Sequence, residues 1–558
     1  MKKSSGIKRR VMIKRNSLSP DLNILKQLKE IIPSAFPDGR LDIEQLRLLL
    51  GEEAESTTER YQLSWPGKAE AYKTLQVKVS DTLQPNFNDS INQDATENIF
   101  IEGENLKALK ILHGTHHGKI KLVLIDPPYN TGSYSFIYPD NFSESKNEYL
   151  RRVGENCNGE LIHSNGNEGG QFHSNWLSMM LPRLCMGRNL LREDGAMLVH
   201  IDEHEQANLT LLLNEIFGEH NQLGHVVWDK GNPKGDASGI AYQHESILIY
   251  AKNKEKFLES NDLVRKKKNA ERMLKKADDL FKLLGRQGLP EDLKRLQRQY
   301  DLPLEVVSKL KRKITLEEIN KQYAAWLKKQ ELSGGERAYN KIDTEGNVYR
   351  LVSMAWPNKK TPPDDYFIPL IHPATGKACP VPQRGWRFPT YTMQQLLQKG
   401  EIIFGTDESV QPQRKYLLKN NLCENLSSVL FYGGSDDELL RNLDITFETP
   451  KPVEFTKTLV QSLTGAGSSD IVLDFFAGSG TTAHAVLKAN KEDGGNRSFI
   501  IVQLPEPIGE RSAMYKKGYR SISELTSKRI RLVIEEMNKS GHSLVGVRCF
   551  TISEHPSS

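Results

Sequence analysis

Cysteine is scarce and scattered. The five residues, Cys157, Cys185, Cys379, Cys423 and Cys549, stand singly, and no CxxC pair occurs. That spacing argues against a zinc ribbon or a disulfide framework and leaves inert thiols. Long apolar runs are also missing, so no segment reads as a membrane span. The first ten residues, Met1 to Arg10, are basic but lack the apolar stretch of a signal peptide, which makes the cytoplasm the expected location. Charge of one sign is nearly balanced: the formal net charge of +5 neither requires nor excludes nucleic acid. No fixed-period repeat is evident.

At 558 residues, with 37% hydrophobic and 26% charged residues, the chain has room for several domains around a sizeable core. Ile24, Leu28, Ile31 and Ile32, and then Leu41 to Leu50, recur at helical spacing, so residues 1–60 read as a small helical segment. Residues 56–97 are polar and rich in turn formers. Asn98-Ile99-Phe100-Ile101 predicts a strand, Leu106, Leu109 and Leu112 a helix, and Leu122–Ile125 a second strand. Further alternation follows: helix over Trp176–Leu191, strand over Ala196–Ile201, helix over Glu203–Phe217, strands at Val226–Trp228 and Ile247–Tyr250. This order implies an α/β fold with a parallel sheet.

From residue 253 the strand signals vanish. Residues 253–337 read as a basic helical insertion, with clusters at Arg265–Lys268 and Lys311–Lys313 that serve either as a solvated face or as phosphate contacts. Residues 338–445 read as an irregular, β-rich module in which Trp356, Trp386, Lys359, Lys360, Arg384 and Arg387 interleave aromatics with basic groups. The sheet resumes over 446–558, with Ile471–Asp474, a helix over Thr481–Ala489 and a strand at Phe499–Gln503, and pairs with residues 61–252 to complete the α/β part.

Two turns carry chemistry. Asp126-Pro127-Pro128-Tyr129 follows a buried-strand pattern directly. Two prolines there end the ladder and fix the backbone, leaving the Pro127 carbonyl outward. Asp126 and that carbonyl can accept both hydrogens of one exocyclic amine, while Tyr129 can stack on the ring that bears it. The second turn, Asp474 to Gly480, places Gly478 and Gly480 between a strand and a helix, where backbone can approach a ligand closely. Thr481-Thr482 follows in place of a Lys-Ser or Lys-Thr pair, which argues against an ATPase and suggests an adenosine ligand without a phosphate chain.

These residues, with Asn130-Thr131-Gly132, resemble the amino-methyltransferases of DNA in the permuted order of the β group, where the catalytic motif precedes the cofactor motif. The segments Tyr61–Lys68, Asn98–Leu109 and Phe447–Pro452 extend the match, and from about residue 60 onward the chain is similar to the modification subunit of type III restriction-modification systems. The resemblance implies a Rossmann-like methyltransferase sheet that binds S-adenosylmethionine and methylates adenine N6 in double-stranded DNA. It also implies a target-recognition region inserted over 253–445, a homodimer, and a separate ATP-dependent restriction subunit.

Carried over residue by residue, the resemblance assigns Asp126, Pro127, Pro128 and Tyr129 to catalysis on a flipped-out base. It assigns Phe476, Gly478 and Gly480 to the cofactor turn, with Asp474 supporting the loop or touching the cofactor, and Pro450, Lys451 and Pro452 to a segment closing over it. Glu104 stands where relatives more often have aspartate, and Gln503, with Glu506 shortly after, where most carry an acid for the ribose. A cytosine-N4 enzyme is the rival in the same class, although serine is usual there at the place of Asp126. A recognition subunit with weak or lost transfer is the rival from another class, left open by Glu104 and Gln503. His200, Asp202 and His204 invite a metal reading, but Asp202 is expected to cap a helix, and no metal is assigned. His244-Glu245 is expected to shape the base pocket or to be structural.

Overall fold

The computed structural model describes residues 28–29, 31–36, 41–50, 62–131, 156–157, 160–161, 170–231, 240–260, 263–300, 303–357, 362–447, 450–539 and 544–553. Tyr61, Gly132, Lys359, Lys360 and most of the N-terminal segment fall outside them, although a helix over Ile43–Leu50 lies where the Leu41–Leu50 pattern put one. Contacts divide the chain into two compact units, residues 1–263 with 427–558, and residues 264–426.

The first unit is built on a ten-stranded sheet. Its strands are β1 (Thr82–Pro85), β2 (Ile99–Glu102), β3 (Ile120–Ile125), β4 (Leu191–Ile201), β5 (Gln222–Asp229), β6 (His244–Ala251), β7 (Val429–Phe431), β8 (Ile471–Asp474), β9 (Ser498–Gln503) and β10 (Arg548–Ser553), in the order β1-β10-β2-β9-β8-β3-β4-β6-β5-β7. Strands β10, β2, β9, β8, β3 and β4 run parallel, and β6 turns antiparallel between β4 and β5. All six residues of β3 are buried, as a strand covered on both faces must be. Even its lysine is accommodated: Lys121 Nζ pairs with Asp194 at 3.0 Å and lies 4.9 Å from the centre of the Phe257 ring.

The helices that matter to the site are α1 (Asn105–His116), α2 (Gly170–Leu190), α3 (Gln206–Phe217), α4 (Val453–Leu463), α5 (Thr481–Asp493) and α6 (Ile522–Lys539). Several elements escape the sequence reading, among them the helix Lys68–Gln76, inside a stretch dominated by polar residues, the helices α4 and α6, and the strands β1 and β10.

Strands β8 and β3 are direct neighbours, with Val472 opposite Leu122 and Leu473 opposite Val123. The chain proceeds from β8 to β9 on one side and from β3 to β4 on the other, so the strand order reverses between them. In an open α/β sheet the carboxyl ends at such a reversal form a ready-made crevice. Asp474 and Asp126 close these two strands.

The second unit holds a four-stranded antiparallel sheet in the order Lys341–Ile342, Val348–Ser353, Gln413–Leu417, Ile402–Ile403. The border expected at 337/338 runs through a single core: Met273, Ile319 and Tyr323 of the helical stretch pack with Tyr339, Ile342, Val348 and Leu418. The outer borders also move. Helix Lys254–Ser260 belongs to the first unit, because Phe257 is buried against Lys121, and β7 belongs to the large sheet through β5. Trp386 is core, 2% exposed, with its indole N–H on the Ile368 carbonyl at 2.8 Å. The Arg265–Lys268 cluster is partly structural: Arg265 pairs with Glu424 at 2.9 Å, and buried Lys267 donates to the carbonyls of Asn421 and Cys423.

Candidate active site

The two turns open into one cavity of about 830 Å3. Its lining includes Asp126, Pro127, Pro128, Tyr129, Pro450, Lys451, Pro452, Asp474, Phe476, Gly478, Gln503 and Glu506. Of the residues singled out from sequence, Glu104 and Gly480 are not in the lining.

On the β3 side, the indole N–H of Trp176 in α2 donates to the Pro128 carbonyl at 2.7 Å. Among the described residues nothing donates to the Pro127 carbonyl, which stays available to a ligand. The Tyr129 hydroxyl donates to Asp126 Oδ1 at 2.7 Å, and its oxygen lies 3.1 Å from Glu245 Oε2. Asn130 adopts a left-handed conformation (φ 58°) that ends the turn, and its amide reaches buried Glu205 at 2.5 Å.

Lys451 joins the two halves. Its ammonium lies 2.8 Å from the Tyr129 hydroxyl, 2.9 Å from Glu245 and 3.2 Å from Asp126 Oδ2. Glu245 also pairs with Lys230. Burial alone would raise the Glu245 carboxyl, but Lys451 and Lys230 override it and hold it down at about 2. Burial, Asp126 and Glu245 together push the Tyr129 phenol well above its ordinary value, so it remains a donor. His200 is pressed down to about 4, first by burial and then by Lys451, so its ring is neutral and adds no positive charge. Trp228 lines the same wall and stacks on Phe455 at 4.5 Å.

Glu245, which the sequence offered either to the base pocket or to a structural role, lies in the lining, whereas Lys230, Trp228 and His200 were not assigned to it from sequence. The available signal was the pairing of two apolar runs: once β5 and β6 form an antiparallel pair, Trp228 falls opposite Glu245.

On the β8 side, the Asp474 carboxylate accepts from the Phe476 N–H at 3.0 Å and from the Thr482 hydroxyl at 2.6 Å, so it ties the turn to α5. Burial raises it to about 7. Gly478 has φ 51° and Gly480 φ 81°, and a Cβ on Gly480 would meet Thr526 at 3.2 Å. The Gly478 N–H donates to Gln503 Oε1 at 2.7 Å, which commits the Gln503 carboxamide to holding the turn. Glu506 is half-buried, its carboxyl is raised by burial, and among the described residues it has no side-chain hydrogen bond.

Glu104 does different work from that expected. It caps α1 by accepting from the N–H groups of Leu106 and Lys107 at 2.8 and 2.7 Å, and it pairs with the fully buried Arg183 at 2.7 Å. Arg183 also donates to Asn105, whose amide donates to the Phe475 carbonyl at 2.9 Å. The carboxylate therefore braces the back of the glycine turn. Asp202 likewise caps no helix: it accepts from the His204 N–H at 3.0 Å, while α3 begins after Glu205. Asp202, Glu203 and His204 bring ligand atoms within 4.8 Å of one another, but His200 packs instead against Trp228 and Phe455.

A sheet that reverses its order between a carboxylate-Pro-Pro-Tyr turn and a glycine turn, with one cavity across both, has the layout of an enzyme acting on a nucleobase amine. The chain belongs to the DNA methylase family, whose model matches residues 120–519. It is 32% identical over 519 residues to the type III restriction-modification enzyme EcoP15I Mod subunit of Escherichia coli, covering 91% of this chain and 74% of that protein. It is 28% identical over 538 residues to the StyLTI Mod subunit of Salmonella typhimurium, covering 93% and 71%, and 30% identical over 529 residues to the EcoPI Mod subunit of Escherichia phage P1, covering 92% and 74%.

Proposed function

We propose that this DNA methylase transfers a methyl group from S-adenosylmethionine to adenine N6 in double-stranded DNA. It does so as the modification and recognition subunit of a type III restriction-modification system. One observation carries the reading: Asp126 and the unengaged Pro127 carbonyl share a cavity with the Gly478 turn. The likeness to three Mod subunits supports the role in such a system.

The cavity suits the cofactor by shape and by chemistry. A left-handed glycine turn leaves backbone exposed to an adenosine, and Glu506 offers a carboxylate to ribose hydroxyls, while Gln503 is occupied with Gly478. The bound cofactor supplies an electrophilic methyl on a sulfonium.

The chain's own residues do the rest. Asp126 and the Pro127 carbonyl accept the two hydrogens of the target amine. This favours a pyramidal nitrogen whose lone pair is freed from the ring, and alignment within the cavity lowers the barrier further. Asp126 also stabilises the charge that grows on nitrogen. Lys451 and Lys230 balance Glu245 and Asp126, and the neutral His200 leaves that balance undisturbed. Tyr129 keeps its hydroxyl on Asp126 and orients the carboxylate, while its ring is available to the base.

The 264–426 unit supplies target recognition, with basic groups meeting phosphates and side chains reaching base edges. The working form is a homodimer in the cytoplasm, and cleavage comes from a separate ATP-dependent restriction subunit.

Tritiated methyl transfer to DNA, with base analysis of the product, tests the reading. N6-methyladenine is expected from the unaltered protein and none from Asp126→Ala, which retains DNA binding. N4-methylcytosine as the product would reassign the base. No transfer to any DNA would leave a recognition subunit without chemistry.

A further inference from the structure

Behind the glycine turn lies a cation that plays no part in the scheme above. Arg529 of α6 is fully buried, 0% exposed. Its Nη1 donates to Ser479 Oγ at 2.7 Å, to Thr481 Oγ1 at 3.0 Å and to the Ser479 carbonyl at 3.3 Å. Its Nε and Nη2 find no hydrogen-bond acceptor among the described residues. The carboxylate paired with it, Asp436, stands 3.8 Å from Nη2, and the same oxygen already accepts the Val453 N–H at 2.7 Å. A buried guanidinium with so little compensation keeps a strong electrostatic demand for an anion nearby.

Ser479 and Thr481 line the cavity, so the demand is delivered there. A hydroxyl oxygen that accepts from a cation must send its own hydrogen elsewhere. Thr481 directs its hydrogen to the Lys451 carbonyl at 3.3 Å. Ser479 Oγ is 3.2 Å from Thr481 Oγ1 and can turn its hydrogen to that oxygen or to the cavity. Thr481 opens the 13-residue helix α5, whose first N–H groups lack partners within the helix and whose dipole also favours an anion.

We propose that Arg529 is a positioning residue for the carboxylate end of the cofactor, acting through Ser479 and Thr481 and not by contact. This rests on the reading that the cavity holds S-adenosylmethionine. The anion is that cofactor's amino-acid carboxylate, and a cation beneath the α5 terminus selects the end of the molecule that settles there.

The test compares two ligands on the full chain: S-adenosylmethionine and its decarboxylated analogue, which keeps the sulfonium and the adenosine. Dissociation constants are measured by calorimetry for the unaltered protein, Arg529→Lys and Arg529→Met. The unaltered protein should prefer the carboxylated ligand by about tenfold or more, as charge-assisted hydrogen bonding allows. Arg529→Met should reduce that preference to about twofold or less, and Arg529→Lys should retain part of it. A purely structural arginine would weaken both ligands together and leave their ratio unchanged, which overturns the proposal. Should Arg529→Met not fold, Ser479→Ala serves in its place: a reduced ratio supports the proposal and an unchanged ratio overturns it. If the unaltered protein binds neither compound, the cofactor reading falls and this inference falls with it.

Discussion

The Lys451 ammonium and the Asp126 carboxylate, from segments remote in sequence, form an ion pair of 3.2 Å at the centre of the cavity. Glu245 shares the same ammonium at 2.9 Å. Although burial works to lower it, the Lys451 pKa is raised by Asp126 and Glu245, so the group stays charged.

Lys451→Met should leave Asp126 and Glu245 facing one another with less compensation. With one cation gone, the Glu245 carboxyl must rise from its present position near 2. We expect methyl transfer to fall by roughly 10- to 1000-fold and the acid limb of its pH profile to move upward by about one unit or more. Steady-state rates from pH 5 to 9 provide the measurement. A profile that keeps its position despite the substitution would show that the ion pair does not govern the site's charge.

Asp474 gives the fold a pH dependence of its own. Its folded pKa, raised to about 7 by burial, exceeds that of an unfolded aspartate. The protonated form is therefore favoured by folding. The contribution is fully present below about pH 4 and is lost as pH rises through about 7. Asp474→Asn removes this titration, so the variant should gain stability relative to the parent between pH 5 and pH 8, by an amount on the order of a few kcal/mol. Urea unfolding at the two pH values measures it, and a difference between variant and parent that does not change with pH speaks against the assignment.

Glu104 and Gln503 can be separated from true ligands by what their loss damages. Glu104→Ala strands the buried Arg183 and uncaps α1, which should cost about 3–5 kcal/mol of stability. Cofactor affinity per folded molecule should change little. A large loss of affinity in a stable variant would restore Glu104 to the cofactor.

For the ribose, Glu506→Gln should raise the KM for S-adenosylmethionine by about tenfold, the scale of one charge-assisted hydrogen bond. Gln503→Glu preserves the acceptor for the Gly478 N–H and should change it by about threefold or less. The reverse ranking would exchange the two roles.

The two turns were legible because each is local: an aspartate and two prolines after a buried strand, and glycines before a helix, state their geometry within a few residues. The sheet was legible for the same reason, since buried parallel strands read as continuous apolar runs. Strands β1, at the edge, and β10 beside it were not, because Thr82–Pro85 is largely exposed and Arg548–Ser553 is mostly half-buried. The charge cluster was hidden for a different reason. Lys451, Glu245 and Lys230 meet only after β8 inserts beside β3 and β6 folds back on β5, and no local period announces an ion pair made by topology. Composition misled at Arg265–Lys268, where Lys267 spends its charge on two carbonyls inside its own unit.

The placement of β8 beside β3 has a consequence for how the molecule is made. During translation β3 emerges early and can pair with β4, but its other flank stays bare until the ribosome has also delivered the entire 264–426 unit. A fully buried strand with one side open is a template for wrong partners. The nascent chain therefore carries a fully buried strand with one flank open, and the catalytic crevice closes only when Ile471–Asp474 arrives to pair with it.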